Sequence, residues 1–288
     1  MQRTLKLTGI GLVVVLVSAS LAVASAKQPR NVQHPGSSSV QPAAKLKSYS
    51  IVHSGSLAAP ALTHTHAKTT CPAGTKPLGG GAVIASGSLS VNLAGSYPSS
   101  SGWAADVNNQ LGTPTTVDVY VICAKKPAGY KLVTASTSAP GNTQTPVTAT
   151  CPTGTKILGG GGFTSSTTLL VNLNTTFPDS ATSWSVALNN SGVPSTTASA
   201  VAVCGKGVTG WKRVTGTTVT QPDTTQSAAT AQCPGFDVLG GGVHSSSASL
   251  VVDVNSSYPN GSNVWVGFEN NGSAATDSIE AYAICAKL

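Results

Sequence analysis

Apolar and polar residues alternate along most of the chain. Tyr130-Lys-Leu-Val-Thr, Ser90-Val91-Asn92-Leu93 and Trp184-Ser-Val-Ala-Leu each place every second side chain on one face, the period of a half-buried strand. Segments such as Val117-Asp-Val-Tyr-Val-Ile-Cys123 are rich in β-branched and aromatic residues. Clusters of Pro, Gly and Asn interrupt the alternation at intervals of about ten residues, which predicts short strands joined by tight turns. No stretch beyond the N-terminus has a helical period. The pattern therefore predicts an all-β chain, built as sandwiches, a barrel or a prism.

The same pattern is written three times. Cys71-Pro72, Cys151-Pro152 and Cys233-Pro234 each precede a Leu-Gly-Gly-Gly, at Leu78–Gly81, Leu158–Gly161 and Leu239–Gly242. A Val-Asn-Leu or Val-Asp-Val follows, then an aromatic-Pro pair at Tyr97-Pro98, Phe177-Pro178 and Tyr258-Pro259. Trp103, Trp184 and Trp265 come next, spaced 81 and 81 apart, each five residues before an Asn pair. Cys123, Cys204 and Cys285 close the units. Upstream, Tyr49, Tyr130 and Trp211 also recur, as do Pro60, Pro140 and Pro222, each Pro 11 residues before its Cys. Such repetition marks one supersecondary unit used three times. The units run over 48–126, 129–207 and 210–288, with five or six strands expected in each.

The first residues belong to none of these. Arg3 and Lys6, the apolar run from Ile10 to Val17 and Ala24-Ser25-Ala26 read as a signal peptide over 1–26. Residues 27–47, rich in Ser, Pro and Gln, read as a disordered leader. After cleavage the apolar C-terminal tail of a lipid anchor is missing, so no membrane span is expected and the localisation is secreted.

Composition narrows the function. Only 9% of residues are charged, while 37 are Ser and 35 are Thr. The formal charge is +7, without a cluster longer than Lys125-Lys126, so no nucleic-acid partner is expected and the basicity is read as solubility or weak affinity for an anionic cell surface.

Six cysteines in an exported chain predict three disulfides. Two schemes treat all units alike. One pairs within units, Cys71–Cys123, Cys151–Cys204 and Cys233–Cys285. The other pairs Cys123–Cys151, Cys204–Cys233 and Cys285–Cys71. The first is preferred because it lets each unit fold alone, with about 4 kcal/mol from each bond. No C-x-x-C occurs, so no metal is expected.

The segments Cys71-Pro-Ala-Gly-Thr-Lys-Pro-Leu-Gly-Gly-Gly and Cys151-Pro-Thr-Gly-Thr-Lys-Ile-Leu-Gly-Gly-Gly resemble a repeat of secreted bacterial proteins of uncharacterised function. The third copy departs, reading Cys233-Pro-Gly-Phe-Asp-Val-Leu-Gly-Gly-Gly. The Cys-Pro-x-Gly opening and closing Cys are also similar to the vitelline membrane outer layer protein family, a disulfide-bonded β-prism of three pseudo-symmetric Greek-key sheets. Its units are shorter, and the likeness covers only part of each repeat. The resemblance implies a prism and carries over no catalytic residue.

Catalysis finds little support in the residues. The glycine tracts lack the Lys-Ser/Thr of a phosphate loop and are read as close backbone approach or a β-bulge beside the disulfide or the Trp. None of the nine acids recurs in all three units, and Asp253 stands where the other units have Asn92 and Asn172. His64 and His66 share a strand face without a third ligand, and neither has a counterpart elsewhere. The recurring candidates are Trp103, Trp184 and Trp265 with Asn109, Asn190 and Asn271. Exposed, they would suit sugar stacking and hydrogen bonding to hydroxyls. Buried, each Trp would be a core anchor and each Asn pair the start of a turn. The expected role is a non-enzymatic extracellular binding or structural surface protein, in its sharper version lectin-like and directed at an extracellular glycan or cell surface, without cofactors. The alternative is a secreted hydrolase of cell-wall or extracellular polymer.

Overall fold

The computed structural model describes residues 46–287. The signal peptide and all but the last two residues of the leader lie outside them. The strands follow the alternation. Unit 1 contributes β1 (Ser50–His53), β2 (Leu57–Ala59), β3 (Thr63–Thr70), β4 (Thr75–Ile84), β5 (Val91–Pro98), β6 (Gly102–Asn109) and β7 (Thr115–Lys125). Unit 2 contributes β8 (Ala128–Ala139), β9 (Thr143–Thr150), β10 (Lys156–Thr164), β11 (Val171–Pro178), β12 (Ser183–Asn190) and β13 (Thr196–Lys206). Unit 3 contributes β14 (Lys212–Thr215), β15 (Val219–Gln221), β16 (Thr225–Gln232), β17 (Asp237–Ser245), β18 (Val252–Pro259), β19 (Val264–Asn271) and β20 (Asp277–Ala286). Two units hold seven strands because a glycine interrupts their first strand. Gly55 has a φ of 72°, and Gly216 approaches the Thr230 carbonyl too closely for a Cβ, whereas β8 runs unbroken.

No sheet belongs to one unit. The order β1-β7-β4-β18-β19-β16 joins halves of units 1 and 3, with β2 added on β7. The order β3-β6-β5-β10-β13-β8 joins units 1 and 2, and β14-β20-β17-β11-β12-β9, with β15 on β20, joins units 3 and 2. Each unit thus divides its strands between two sheets, and the pairing runs in a ring. The three junctions are equivalent antiparallel contacts, Ala82 opposite Ser257, Ser96 opposite Gly162 and Thr176 opposite Val243. Three sheets facing a shared axis make a prism. This corrects one expectation: a unit that must borrow half of each sheet is not built to fold alone.

The disulfides nevertheless lie within units, Cys71–Cys123, Cys151–Cys204 and Cys233–Cys285, with Cα separations of 5.7, 5.6 and 5.6 Å. Each ties a unit's two halves together where they diverge into different sheets. The reason for the pairing is therefore the split of the unit and not its independence.

The Gly-Gly-Gly tract explains how the halves meet. A β-bulge precedes it in every unit, between Pro77 and Gly79, Ile157 and Gly159, and Val238 and Gly240. The first glycines close the axis in a cycle: a Cβ on Gly79 would lie 2.3 Å from the Leu239 carbonyl oxygen, one on Gly159 2.3 Å from that of Leu78, and one on Gly240 2.7 Å from that of Leu158. The second glycines seat the tryptophans, since a Cβ on Gly80, Gly160 or Gly241 would come within 2.6, 2.4 or 2.4 Å of the ring of Trp103, Trp184 or Trp265. The third glycines lie at the junctions, against the carbonyls of Ser257, Ser96 and Thr176. Close approach and bulge are both present, as the sequence suggested.

The upstream aromatics clasp each unit to its neighbour. The Tyr49 hydroxyl donates to the Val238 carbonyl at 2.7 Å, that of Tyr130 to Pro77 at 2.9 Å, and the Trp211 indole N–H to Ile157 at 2.7 Å. Each acceptor is the residue just before the bulge of the unit it reaches.

Backbone contacts this short cannot be relieved by side-chain rotation. Gly79→Ala should lower stability by about 3 kcal/mol. Gly87→Ala, whose Cβ would meet only the end of Gln226 at 3.9 Å, should be near neutral. Denaturant unfolding of the two variants checks this, and equal midpoints would contradict the packing role assigned to the first glycine.

Candidate functional site

The residues singled out in the sequence are interior. Trp103, Trp184 and Trp265 are 1%, 0% and 1% exposed. Their indole N–H groups donate at 2.9 Å to Ser96 Oγ, Thr176 Oγ1 and Ser257 Oγ, the very residues that pair with the neighbouring unit. Each Trp is therefore packed behind a junction with its polar atom satisfied, and presents no platform to a ligand. Asn109, Asn190 and Asn271 are fully buried as well. The Asn109 amide donates to the carbonyls of Ala59, Pro60 and Thr113, while its Oδ1 accepts from the Leu111 N–H. Asn190 and Asn271 repeat the arrangement on Ala139 and Pro194 and on Pro222 and Ala275. These side chains pin turns, so the ligand-binding expectation for all six residues does not fit their burial.

The first Asn of each pair builds the axis instead. Asn108, Asn189 and Asn270 donate to the carbonyls of Val171, Val252 and Val91 in a cycle. Those carbonyls fix which way each amide points. The same Nδ2 groups donate to Asn92 Oδ1 at 3.2 Å, Asn172 Oδ1 at 3.1 Å and Asp253 Oδ1 at 2.9 Å. Asn92 and Asn172 must then aim their own NH2 groups at the axis, where both donate to Asp253 Oδ2, at 2.9 and 3.3 Å. A third Asn would bring NH2 against NH2. The one carboxylate at this repeated position is the acceptor that the ring requires. Burial raises its pKa to about 8, opposed by the hydrogen bonds from Asn270 and Asn92.

Unit 3 carries a second buried carboxyl, with fewer donors around it. Glu269 and Gln221 stand where the other units have Val107 with Ala59 and Leu188 with Ala139. Gln221 Nε2 donates to the Glu269 carbonyl at 2.7 Å, and Ser245 Oγ donates to Glu269 Oε1 at 2.9 Å. Glu269 Oε2 and Gln221 Oε1 are buried without a donor. A proton on the carboxyl supplies one. Burial raises the Glu269 pKa to about 9, with Asp277 and Asp253 adding to the rise and the Ser245 bond opposing it.

What faces outward lies at the junctions. On the sheet shared by units 1 and 2, the rings of Tyr97 and Phe163 meet at 4.6 Å, and Gly95 leaves room beside Asp106. Asp106 takes the His66 Nδ1 at 2.7 Å and lies near Tyr97. Burial, then the Asp106 charge, pushes the Tyr97 pKa up to about 12. On the sheet of units 1 and 3, Tyr120 packs between His53 and Tyr258 at 5.3 and 5.5 Å, and His53 Nδ1 contacts Asp118 at 2.8 Å. On the third sheet Phe177 meets His244 and Tyr282 at 4.8 and 5.0 Å, with Glu280 on the Tyr282 hydroxyl and Arg213 over its ring. Burial lowers the His244 pKa, against the pull of Glu280 and Asp179.

Each junction thus places aromatic rings beside a carboxylate at an outer sheet face, with Tyr97, Phe163, Tyr120, Phe177 and Glu280 half-buried and Tyr258, Tyr282, Asp106 and Asp118 beneath them, buried. Tyr97, Phe177 and Tyr258 are the recurring aromatic-Pro residues, noticed in the sequence but not taken as sites. Their neighbours on the trapped Ser96, Thr176 and Ser257 point inward, so parity alone turns these rings outward. Asp118 and Glu280 occupy the same repeat position in units 1 and 3, where unit 2 has Ser199, while Asp106 comes from another strand of unit 1, so no acid recurs in all three units. His64 bonds Asn108 Oδ1 at 2.9 Å, so the two histidines of β3 serve different partners. No group of three metal-ligating side chains occurs among the described residues. No family model matches the chain, and no curated protein matches it in sequence.

The two buried acids should answer differently to mutation. A carboxyl whose folded pKa is raised binds its proton more tightly in the native state, so it costs nothing below the ordinary carboxylate range and destabilises as pH rises until the folded pKa is passed. Glu269→Gln should keep the acid-pH stability and reduce the fall between about pH 4 and 9, leaving the share due to Asp253, because its amide carries a donor without a charge. Asp253→Asn should lose about 2 kcal/mol even at acid pH, because an amide nitrogen accepts no hydrogen bond whereas both oxygens of the carboxyl, protonated or not, can accept. Denaturant midpoints measured against pH check both. A Glu269→Gln profile with the wild-type slope would contradict the neutral acid, and a wild-type midpoint for Asp253→Asn would contradict the donor ring.

Proposed function

We propose that the protein is a secreted, non-enzymatic glycan-binding protein whose binding surfaces are the aromatic and carboxylate clusters on the outer sheet faces at the three junctions. Three structural disulfides fit an oxidising extracellular setting, and among the described residues no helix is long and apolar enough to cross a membrane. The observation that carries the reading is the pairing of Tyr97 and Phe163 with Asp106, recast with other residues at the other two junctions. A sugar ring offers an apolar C–H face to an aromatic ring and hydroxyl donors to a carboxylate. Ser and Thr around the clusters add further partners without charge. Three weak faces on one body gain by avidity when the glycan is displayed many times.

The secreted hydrolase remains the second reading, on one observation. His53 with Asp118 and His66 with Asp106 are imidazoles held at Nδ1 by a carboxylate, an arrangement that orients a general base. Ser54 does not complete a triad, since its hydroxyl bonds Asp118 at 3.2 Å.

A glycan array tests the proposal. Wild-type protein should bind a defined set of neutral glycans, and a Tyr97→Ala, Phe177→Ala, Tyr258→Ala variant should lose about tenfold or more of its avidity. Tryptophan emission should not respond to sugar through direct stacking, since the three repeated rings are buried. An array without hits, or binding that survives the triple substitution, sinks the reading. Release of reducing ends that Asp106→Asn abolishes would favour the hydrolase.

A further inference from the structure

The cations, scattered in sequence, are gathered in space. All eleven Lys and Arg of residues 46–287 lie at the end of the prism where the disulfides are. In unit 1, Lys68 is three residues before Cys71, Lys76 pairs with Ala124 beside Cys123, and Lys125 and Lys126 follow that cysteine. The Lys47 carbonyl accepts from the Lys125 N–H. In unit 2, Lys131 lies opposite Cys204, Lys156 opposite Gly205, and Lys206 two residues beyond the cysteine. In unit 3, Lys212 lies opposite Cys285, Arg213 opposite Ile284, and Lys287 follows. Strand antiparallelism does this: it brings residues from both ends of a unit to the same end of a sheet.

These charges are uncompensated. Among the described residues no Lys or Arg pairs with a carboxylate, and the only ion pairs are those of His53 and His66. Asp179 and Asp237 are the only acids at this end. The opposite end holds Asp223 and Asp277 and not one cation. Most of the eleven side chains are exposed. Between units 2 and 3, Lys156 and Lys206 flank a cleft of about 200 Å³ whose floor is opened by Gly154, Gly205 and Gly207 and whose wall is Trp211. Its size suits one charged group of a chain rather than a whole ligand.

We infer that this end binds an extended anionic polysaccharide, with the cleft taking one of its acidic groups and the lysines of the three units tracking the rest. Like charges held together on a rigid end repel one another, and a polyanion relieves that repulsion at every cation it reaches. A lipid surface fits less well. Membrane-seated basic surfaces add exposed apolar side chains, whereas the exposed large apolar residues Leu62, Leu170, Val193 and Val251 lie at the opposite end. A nucleic acid fits less well too. The aromatic rings at this end are covered, Trp211 by Lys156 at 4.4 Å and Phe236 by Lys212 at 3.6 Å, and offer no stacking platform. This surface shares only Arg213 with the junction faces, and none of the four lysines tested below belongs to a junction cluster, so the two readings fail independently.

Binding to immobilised heparin, used as the anionic polysaccharide, tests the inference beside dextran, phosphatidylglycerol vesicles and duplex DNA. The wild-type protein should be retained on heparin but not dextran at near-physiological salt, and its affinity should fall as salt rises. A variant carrying Lys125→Gln, Lys126→Gln, Lys156→Gln and Lys206→Gln should bind about tenfold or more weakly, with an unchanged melting temperature. Val193→Ser at the far end and Tyr97→Ala on a junction face should bind heparin like the wild type. Absence of heparin binding at low salt, wild-type binding by the quadruple variant, or equal or tighter binding to vesicles or DNA each overturns the inference.

Discussion

Backbone against backbone at the axis is the contact on which this fold depends. Gly79, Gly159 and Gly240 let three strands meet where any Cβ would strike a carbonyl. Only at that separation do β4, β10 and β17 reach the strand of the next unit, and only through those junctions does each half-unit find a sheet. The tryptophans, the aromatic clasps and the disulfides all serve the same ring. Each indole bonds the junction hydroxyl, each clasp reaches the neighbour's bulge, and each disulfide holds the two halves of a unit where they part.

A ring of three equal parts has one problem that equal parts cannot solve. Hydrogen-bond donors and acceptors must alternate, and three identical amides at an axis, each with its oxygen already engaged, leave three donors facing one another. Asp253 breaks the repeat to satisfy the ring. Glu269 and Gln221 break it differently, as a polar pair in a place that the other units fill with apolar side chains. Departures from the repeat in unit 3 are thus of two kinds. One completes the symmetry, and the other is a local exchange whose charge is removed by a proton.

Much of this was legible in the sequence because it was repeated. The cysteine pairing, the bulge at the glycines and the turn-making Asn each had three witnesses. The sharing of sheets was not legible, because alternation reports which side of a strand is buried and not whose strand lies beside it. Trp103 illustrates the limit: its strand alternates equally well for either face. The junction clusters escaped because Asp118 and Glu280 recur in only two units, with Ser199 in the third, and Asp106 lies on a different strand, so the three converge only after folding. The basic end escaped for the same reason, since Lys131 and Lys206 are far apart in sequence and lie near one cysteine in the sheet.

The account assigns the two surfaces to one rigid body, and that body exists only if the units cannot stand apart. Residues 129–207 produced alone, with Cys151 and Cys204 oxidised, test this most directly by circular dichroism and denaturant unfolding. Lacking β5 and β17 to pair with β10 and β11, the isolated unit is predicted to remain largely unstructured and to show no cooperative transition as a monomer. A monomeric unit that keeps its strands and unfolds cooperatively would contradict the account.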